Sequence, residues 1–374
     1  MKKYAWKNID LVNLLFLGLT PVLAVVLTIM WLQNGDFHWG QILMGIVFYV
    51  FTGISITAGY HRLFSHKAYE AHWSVKLFYL LFGAASFENS VLKWGSDHRR
   101  HHNKVDTNED PYNINEGFFY AHMGWVFLKR NSAIHEKYAQ DFLKDKLVMW
   151  QHNNYQLIAV AMGLVLPTIL GGVFFGSYLG GLAVAGLGRI VLTHHCTFFI
   201  NSLCHKLGST PYTDTNTAKD HWFMALLTFG EGYHNFHHYF QNDYRNGIRW
   251  FHFDPTKWLI KTLSCLGLAF KLRLTSQDKI LAAKMQMKLK RMKLKTEATD
   301  TFSIELEKLK LQAIETLKKL QAMKAEYKAL KAHASAELLK EFKIKMKATQ
   351  QEFKRTLQQW EALVNYYRLA VVHS

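Results

Sequence analysis

Four stretches of apolar sequence, each long enough to cross a bilayer, limit what this chain can fold into more than any other feature. A hydrocarbon core of about 30 Å takes about 20 apolar residues as a helix. The windows 11–32, 40–60, 155–175 and 178–200 reach that length. A short polar link joins the first two and almost nothing joins the last two, so they read as two helical hairpins. The start MKKYAWKNID precedes an apolar run that exceeds a signal-peptide core and shows no small-residue cleavage site, and is read as leading into an uncleaved first span. The expected fold class is therefore an all-α integral membrane protein with four transmembrane helices.

Composition divides the chain again. Hydrophobic residues make up 49% and aromatics 14%, too many for a disordered protein, yet the formal charge is +17. Residues 271–374 hold 23 Lys or Arg against 11 Asp or Glu, and no Gly or Pro occurs after 278. The reading is a membrane domain over 1–275 and a basic helical extension over 276–374. Two or three long helices are expected across 277–372, with Leu311, Ile314, Leu317, Leu320 and Met323 recurring every three residues without a clean heptad. The extension has no haem motif and no Cys cluster, so it is not a fused electron donor. It reads as a surface for anionic lipid, a self-association module or a docking arm for an acidic carrier. Cys196, Cys204 and Cys265 match no CxxC or disulfide framework and read as inert thiols. No nucleic-acid partner is expected.

Three histidine clusters stand beside the apolar windows: HRLFSH from His61, HRRHH from His98 and HNFHH from His234. At about one His in twenty residues, an HxxHH pattern arises by accident roughly 0.06 times in a chain of this length, so two of them are not chance. Positions i, i+3 and i+4 share a helix face, which makes His98, His101 and His102 one metal claw and His234, His237 and His238 another. His61 and His66 are five apart, about 140° around an α-helix, and converge only if the helix bends or ends between them.

Eight imidazoles without a Cys exceed a structural zinc site and favour a dinuclear centre, for which Fe, Cu, Zn and Ni all remain open. A segment at 75–92 is nearly long enough to cross but carries Lys76, Glu88 and Asn89. If it crossed, the first two clusters would face opposite sides of the membrane. An interfacial helix there brings all three onto one face, and the basic termini make that face cytoplasmic. The clusters then sit in a helical cytoplasmic cap at the ends of the spans.

GYHRLFSH, WGSDHRRHH and GEGYHNFHH between two helical hairpins resemble the histidine boxes of membrane fatty acyl desaturases of the Δ9 acyl-CoA (stearoyl-CoA) type, its bacterial members included, over about residues 10–270. The resemblance implies a cofactor of two iron ions and removal of two hydrogens across C9 and C10 of a saturated acyl chain. It also implies reduction of O2 to water with two electrons from an external donor of ferredoxin, rubredoxin or cytochrome b5 type. A bacterial inner membrane is the expected location. The implied ligands are His61, His66, His98, His101, His102, His234, His237 and His238. NSLCH adds His205 as a ninth, with Asn201 holding a metal-bound water.

Matching positions also imply substrate contacts. Tyr49 and Gly53 would set chain length near the methyl end, Trp94 and Thr197 would line the bend at C9 and C10, and Lys129 and Arg130 would meet CoA phosphates. Glu88 departs from the glutamine of the animal enzymes. Asp97, Glu109, Asp110 and Glu231 are candidates to accept the second ring N–H of ligating histidines. His194 and His195 point about 100° apart and are read as packing residues, with His72, His122, His135, His152 and His252 structural or interfacial. A diiron membrane hydroxylase of a lipid or alkane stays open as an alternative. So does a non-catalytic His-rich metal-binding or transport protein, although transport would place ligands mid-span rather than at span ends.

Overall fold

The computed structural model describes residues 8–129, 137–293, 300–331 and 333–372. Among these the secondary structure is helical apart from one two-residue antiparallel pair, Glu70–Ala71 with Ala269–Phe270, and isolated bridges such as Ile9 with Leu128. Four helices are long and apolar enough to cross a membrane: Leu11–Gln33, Trp39–Ser65, Tyr155–Phe175 and Tyr178–Lys206. The all-α membrane class expected from the four windows holds. Two compact units divide the chain, Met1–Ser209 with Thr215–Leu274, and Thr210–Asp214 with Thr275–Ser374.

The spans of the first unit are not equivalent. Only 17% of the first and 28% of the third are buried within the protein, against 56% of both the second and the fourth. The second and fourth therefore form the inner pair, and the fourth packs on both the first and the second. Leu15, Leu19, Val22 and Ile29 of the first span, with Leu157, Val173 and Phe174 of the third, turn outward as apolar surface that suits lipid rather than water.

Both inner spans run past their predicted ends, to Ser65 instead of 60 and to Lys206 instead of 200. His61, Asn201 and His205 thus lie on the last helical turns themselves and not in segments that follow. The last stretch of the second span, Ser55–Ser65, is a π-helix, buried at every position. The amide of His66 donates to the carbonyl of His61, five residues back, at 3.0 Å. An i+5 repeat brings His61 and His66 onto one face without the bend or break that α geometry demanded.

The segment expected as one interfacial helix over 75–92 is two elements. A helix over Trp73–Ala84 spans only about 18 Å at 1.5 Å per residue, too short to cross. A turn follows in which Phe87 and Asn89 take positive φ (61° and 83°), and Ser90 then caps a new helix, Val91–Lys104, by accepting from the Lys93 amide. At Gly95 a Cβ would stand 2.6 Å from the Phe142 ring and 2.9 Å from Ser65 Oγ, so only glycine lets this helix lie against the end of the second span. The core of the unit gathers there, around Tyr60, Leu63, Tyr79, Leu80, Phe142 and Ile260.

Among its described residues the second unit comprises three helices, Gln277–Lys293, Asp300–Leu330 and Ala336–Val372. Met285, Leu289, Leu306, Leu309, Ala313, Trp360 and Val364 form its core. Along the middle helix Leu306, Leu309, Ala313, Thr316 and Leu320 are buried at a 3-4-3-4 spacing, with Lys310 buried beside them, while Leu311 is exposed. The inward stripe is a heptad after all, hidden in the sequence because Ala313 and Thr316 occupy two of its positions.

Candidate metal centre

Nine histidines converge at the ends of the two inner spans, in two groups. His61, His66, His98, His102 and His237 form one, and His101, His205, His234 and His238 the other, with the ligand atoms of each group within 4.8 Å of one another. Each trio expected to act as one claw is divided between the two. The i, i+4 pairs His98/His102 and His234/His238 stay together, whereas the i+3 members His101 and His237 turn to the opposite group. A helix face about 100° wide reaches two adjacent centres, so one box serves both.

The rings present Nε2 inward throughout. Nε2 to Nε2 separations are 2.7 Å for His66–His98, 2.9 Å for His102–His237, 3.0 Å for His61–His237 and 3.0 Å for His205–His234. His238 lies 3.1 Å from His234 and 3.3 Å from His101. Lone pairs aimed at one another this closely repel unless a cation lies between them. Burial, and then the neighbouring imidazoles, push His66, His98, His102, His234, His237 and His238 well below the ordinary imidazole value. They are neutral at physiological pH, the form that binds metal.

For four of the rings, an outward partner accounts for the orientation. His61 Nδ1 donates to Glu231 Oε2 at 2.7 Å and His101 Nδ1 to Asp110 Oδ1 at 2.9 Å. His205 Nδ1 lies 2.8 Å from Thr217 Oγ1, whose hydroxyl donates to Asp106 Oδ1 at 2.6 Å, and Tyr112 Oη stands 3.4 Å from His98 Nδ1. Such partners lock the tautomer that leaves Nε2 free. Of the four expected carboxylates, Asp110 and Glu231 take this position. Asp97 is buried in a cavity wall, and Glu109 instead pairs with Lys104 on the surface at 3.1 Å.

Sequence reasoning missed Tyr112 and Thr217, 14 and 12 residues from the rings they hold, and Asp106, which reaches His205 only through Thr217. It also missed Asp220, whose Oδ1 accepts from the amides of Asn235 and Phe236 at 2.8 and 3.1 Å and so caps the short third-box helix. Arg62 was passed over too, although it stands inside the first box. Its guanidinium is buried between Glu231 at 2.8 Å and Asp254 at 3.1 Å. Burial alone would raise the Glu231 carboxyl, but His61 and Arg62 hold it below the ordinary carboxylate range.

A cavity runs up to both groups. His61, His98, His101 and His234 line it, as do Tyr49, Gly53, Trp94, Thr197 and Asn201. Tyr49 Oη donates to the Leu227 carbonyl, and its ring lies 5.3 Å from that of Phe229. A Cβ on Gly53 would stand 2.1 Å from the Phe229 ring, so these three residues pack together in the cavity wall. Lys129 is exposed and is not among the lining residues, whereas Lys93 is. Arg130 and His135 lie outside the described residues. His194 bonds the Ser86 carbonyl and His195 bonds His122, away from both metal groups.

Nine imidazoles with no thiolate suit a first-row metal such as iron, copper, zinc or nickel. Comparison with known proteins agrees with this geometry. The family model for fatty acid desaturase matches residues 37–265, and this chain belongs to that family. It is 45% identical over 255 residues to Acyl-CoA desaturase 1 of Saccharomyces cerevisiae, covering 68% of this chain and 50% of the relative. It is 40% identical over 286 residues to a probable acyl-CoA desaturase of Schizosaccharomyces pombe, covering 76% and 59%. To the human stearoyl-CoA desaturase it is 34% identical over 286 residues, covering 75% and 77%. The chain thus spans about half of the budding-yeast relative and about three fifths of the fission-yeast one. These relatives are fungal and animal and lend no support to the bacterial affiliation expected above.

Proposed function

We propose that this chain is an oxygen-dependent desaturase of saturated long-chain fatty acyl thioesters, acting on acyl-CoA at Δ9 through a diiron centre on the cytoplasmic face of a membrane. The convergence of nine inward Nε2 atoms at the end of a largely apolar cavity carries the reading. The relatives' names add acyl-CoA as the substrate class. In this reading residues 1–275 are the catalytic membrane domain, and 276–374 a separate extension.

His61, His66, His98, His102 and His237 would hold one iron and His101, His205, His234 and His238 the other, with Asn201 beside the second through water. Bound iron would supply the reduction of O2 and the breaking of unactivated C–H bonds, with electrons from a ferredoxin, rubredoxin or cytochrome b5 type donor. The protein's own residues do the rest. Trp94, stacked on His98 with ring centroids 5.1 Å apart, and Thr197 hold the chain against the centre. Tyr49, Gly53 and Phe229 stop its methyl end. Asp10, Asn13, Asn89 and Lys93 supply polar wall for the head group, a place that Lys129 and Arg130 were expected to fill.

Expression in cells lacking their own desaturase, followed by gas chromatography of total lipid, tests this directly. A new Δ9 mono-unsaturated acid is expected, absent when His101 and His102 are both alanine. A hydroxylated product, or bound metal without product, would overturn the assignment. Tyr49→Ala is expected to open the closed end and shift the product towards longer chains. A methylene accepted or refused by an apolar pocket changes selectivity by roughly tenfold or more, so the ratio of C18 to C16 mono-unsaturates reads the effect.

A further inference from the structure

Among the carboxylates that line the cavity, Glu88 joins two of its other wall residues and serves no histidine. Glu88 Oε1 accepts from the Thr197 hydroxyl at 2.8 Å and Oε2 from the Trp94 indole N–H at 3.1 Å. Both partners are wall residues of the same cavity, so Glu88 bridges the fourth span and the helix Val91–Lys104 at the place read above as the bend of the acyl chain.

The turn that carries Glu88 is fixed from several sides. The Ala85 carbonyl accepts from Arg189 Nη1 at 2.6 Å and the Ser86 carbonyl from His194 Nε2 at 2.8 Å. The Asn89 amide donates to Tyr155 Oη at 3.0 Å, and the Glu88 amide to Ser86 Oγ at 3.3 Å. Its neighbours Phe87 and Asn89 are held at positive φ, a conformation that non-glycine residues adopt only where the surrounding structure imposes it. A turn so anchored cannot swing the carboxylate out to bulk water. The titratable and charged groups around it are Tyr60 and Tyr155, Cys196 next to Thr197, Arg189 and His194 behind the turn, His98 behind Trp94, and Asp10, Tyr49, Lys93 and Asp97 on the same cavity wall. Among the described residues none of these makes an ion pair with it. Burial lifts the Glu88 carboxyl to about 7, while the bonds from Thr197 and Trp94 restrain the rise.

We propose that acyl-chain binding takes up a proton at Glu88, so that the filled cavity holds it as a neutral acid and substrate affinity falls as pH rises. The inference rests on the reading of this cavity as the acyl channel. An apolar chain lying on the carboxylate displaces the water that solvates its charge, and an ionised group left with only two neutral donors is costly there. The neutral acid still accepts from both donors and presents no charge to the chain. The sign follows from linkage. The bound state carries the proton, the free state is half-ionised near pH 7, and binding is strongest below that value and weakens above it.

The test uses purified, iron-loaded protein without reductant, so that no turnover occurs, and stearoyl-CoA as the probe in titration calorimetry. Between pH 6 and pH 8 the dissociation constant is expected to rise about tenfold, as one proton linked to a pKa near 7 requires. In buffers of different ionisation enthalpy, proton uptake is expected at pH 7.5. Glu88→Gln, an isosteric neutral side chain whose amide oxygen can accept from the Trp94 indole N–H while its NH2 donates to the Thr197 hydroxyl oxygen, is expected to abolish most of both effects, and any residue from titration of the CoA phosphate remains in both proteins. Unchanged iron content and melting temperature establish that the variant is folded. Binding with no pH dependence, or with the same dependence in Glu88→Gln, overturns the inference and leaves the desaturase reading intact. Absence of binding at every pH overturns both.

Discussion

Arg62→Ala is expected to be among the most destabilising single substitutions in the membrane unit, costing about 3–5 kcal/mol. The guanidinium is 1% exposed and lies between Glu231 and Asp254, and it also donates to the Tyr244 carbonyl at 2.8 Å. Its removal strands two buried carboxylates whose other partners are neutral or already shared. Asn246 donates to Glu231 Oε2 at 2.8 Å, and the amides of Asn246 and Gly247 donate to Asp254 Oδ2 at 2.9 Å each. The damage spreads to the metal centre, because Glu231 also orients His61. Arg62→Lys should recover little, since one ammonium cannot serve two carboxylates as a planar fork does. Lys271→Ala is the control. Its pair with Glu70 is equally short at 2.9 Å, but both side chains are more than half exposed, and such pairs are worth about 0–1 kcal/mol. Melting of the purified protein checks the contrast: a drop of about 10 °C is expected for Arg62→Ala and almost none for Lys271→Ala. Equal shifts would show that the buried network does not hold the unit together.

Much of the architecture could be read in advance, because it depends on patterns local to the chain. Length and apolarity mark the four spans, and a three-and-four spacing marks the helical boxes. What could not be read depended on backbone geometry or on distant partners. Nothing in SITAGYHRLFS announces a π-helix, yet it is what aligns His61 with His66. The division of each trio between two centres requires knowing that a second centre lies one helix face away. Asp110 and Glu231 were legible as nearby carboxylates, but Glu109 was equally near and turned to Lys104. Proximity in sequence cannot tell a buried partner from a solvated one. Thr217 holds His205 from 12 residues away, and Asp106, 111 residues from Thr217 in sequence, acts on the ring only through that threonine, from a positive φ of 63°. In the basic extension, Ala313 and Thr316 concealed a heptad that a search for large apolar residues passed over.

The division of the boxes yields the second large prediction: His101→Ala and His102→Ala, adjacent in sequence, are expected to behave differently towards metal. His102 belongs to the five-histidine group and its loss leaves four imidazoles, whereas His101 belongs to the four-histidine group and leaves three. Four nitrogens in a buried cage still make a closed coordination sphere for a divalent ion, while three leave an open one. His101→Ala also leaves Asp110 buried without the ring N–H that it accepts. Deleting an outer partner alone costs about 10–100-fold in metal affinity, so loss of the ligand itself should exceed about 100-fold at that group. The His101→Ala protein is then expected to retain about one iron per chain, and His102→Ala close to two with weaker retention under chelator. Both should lose desaturation, since the chemistry proposed needs the pair intact. Asp110→Asn, which keeps His101 but replaces the charged acceptor, should fall between wild type and His101→Ala. Elemental analysis after timed chelation orders the three variants. If His101→Ala and His102→Ala lost iron alike, each helical trio would be serving a single centre, and the crossing of the boxes between two groups would be wrong.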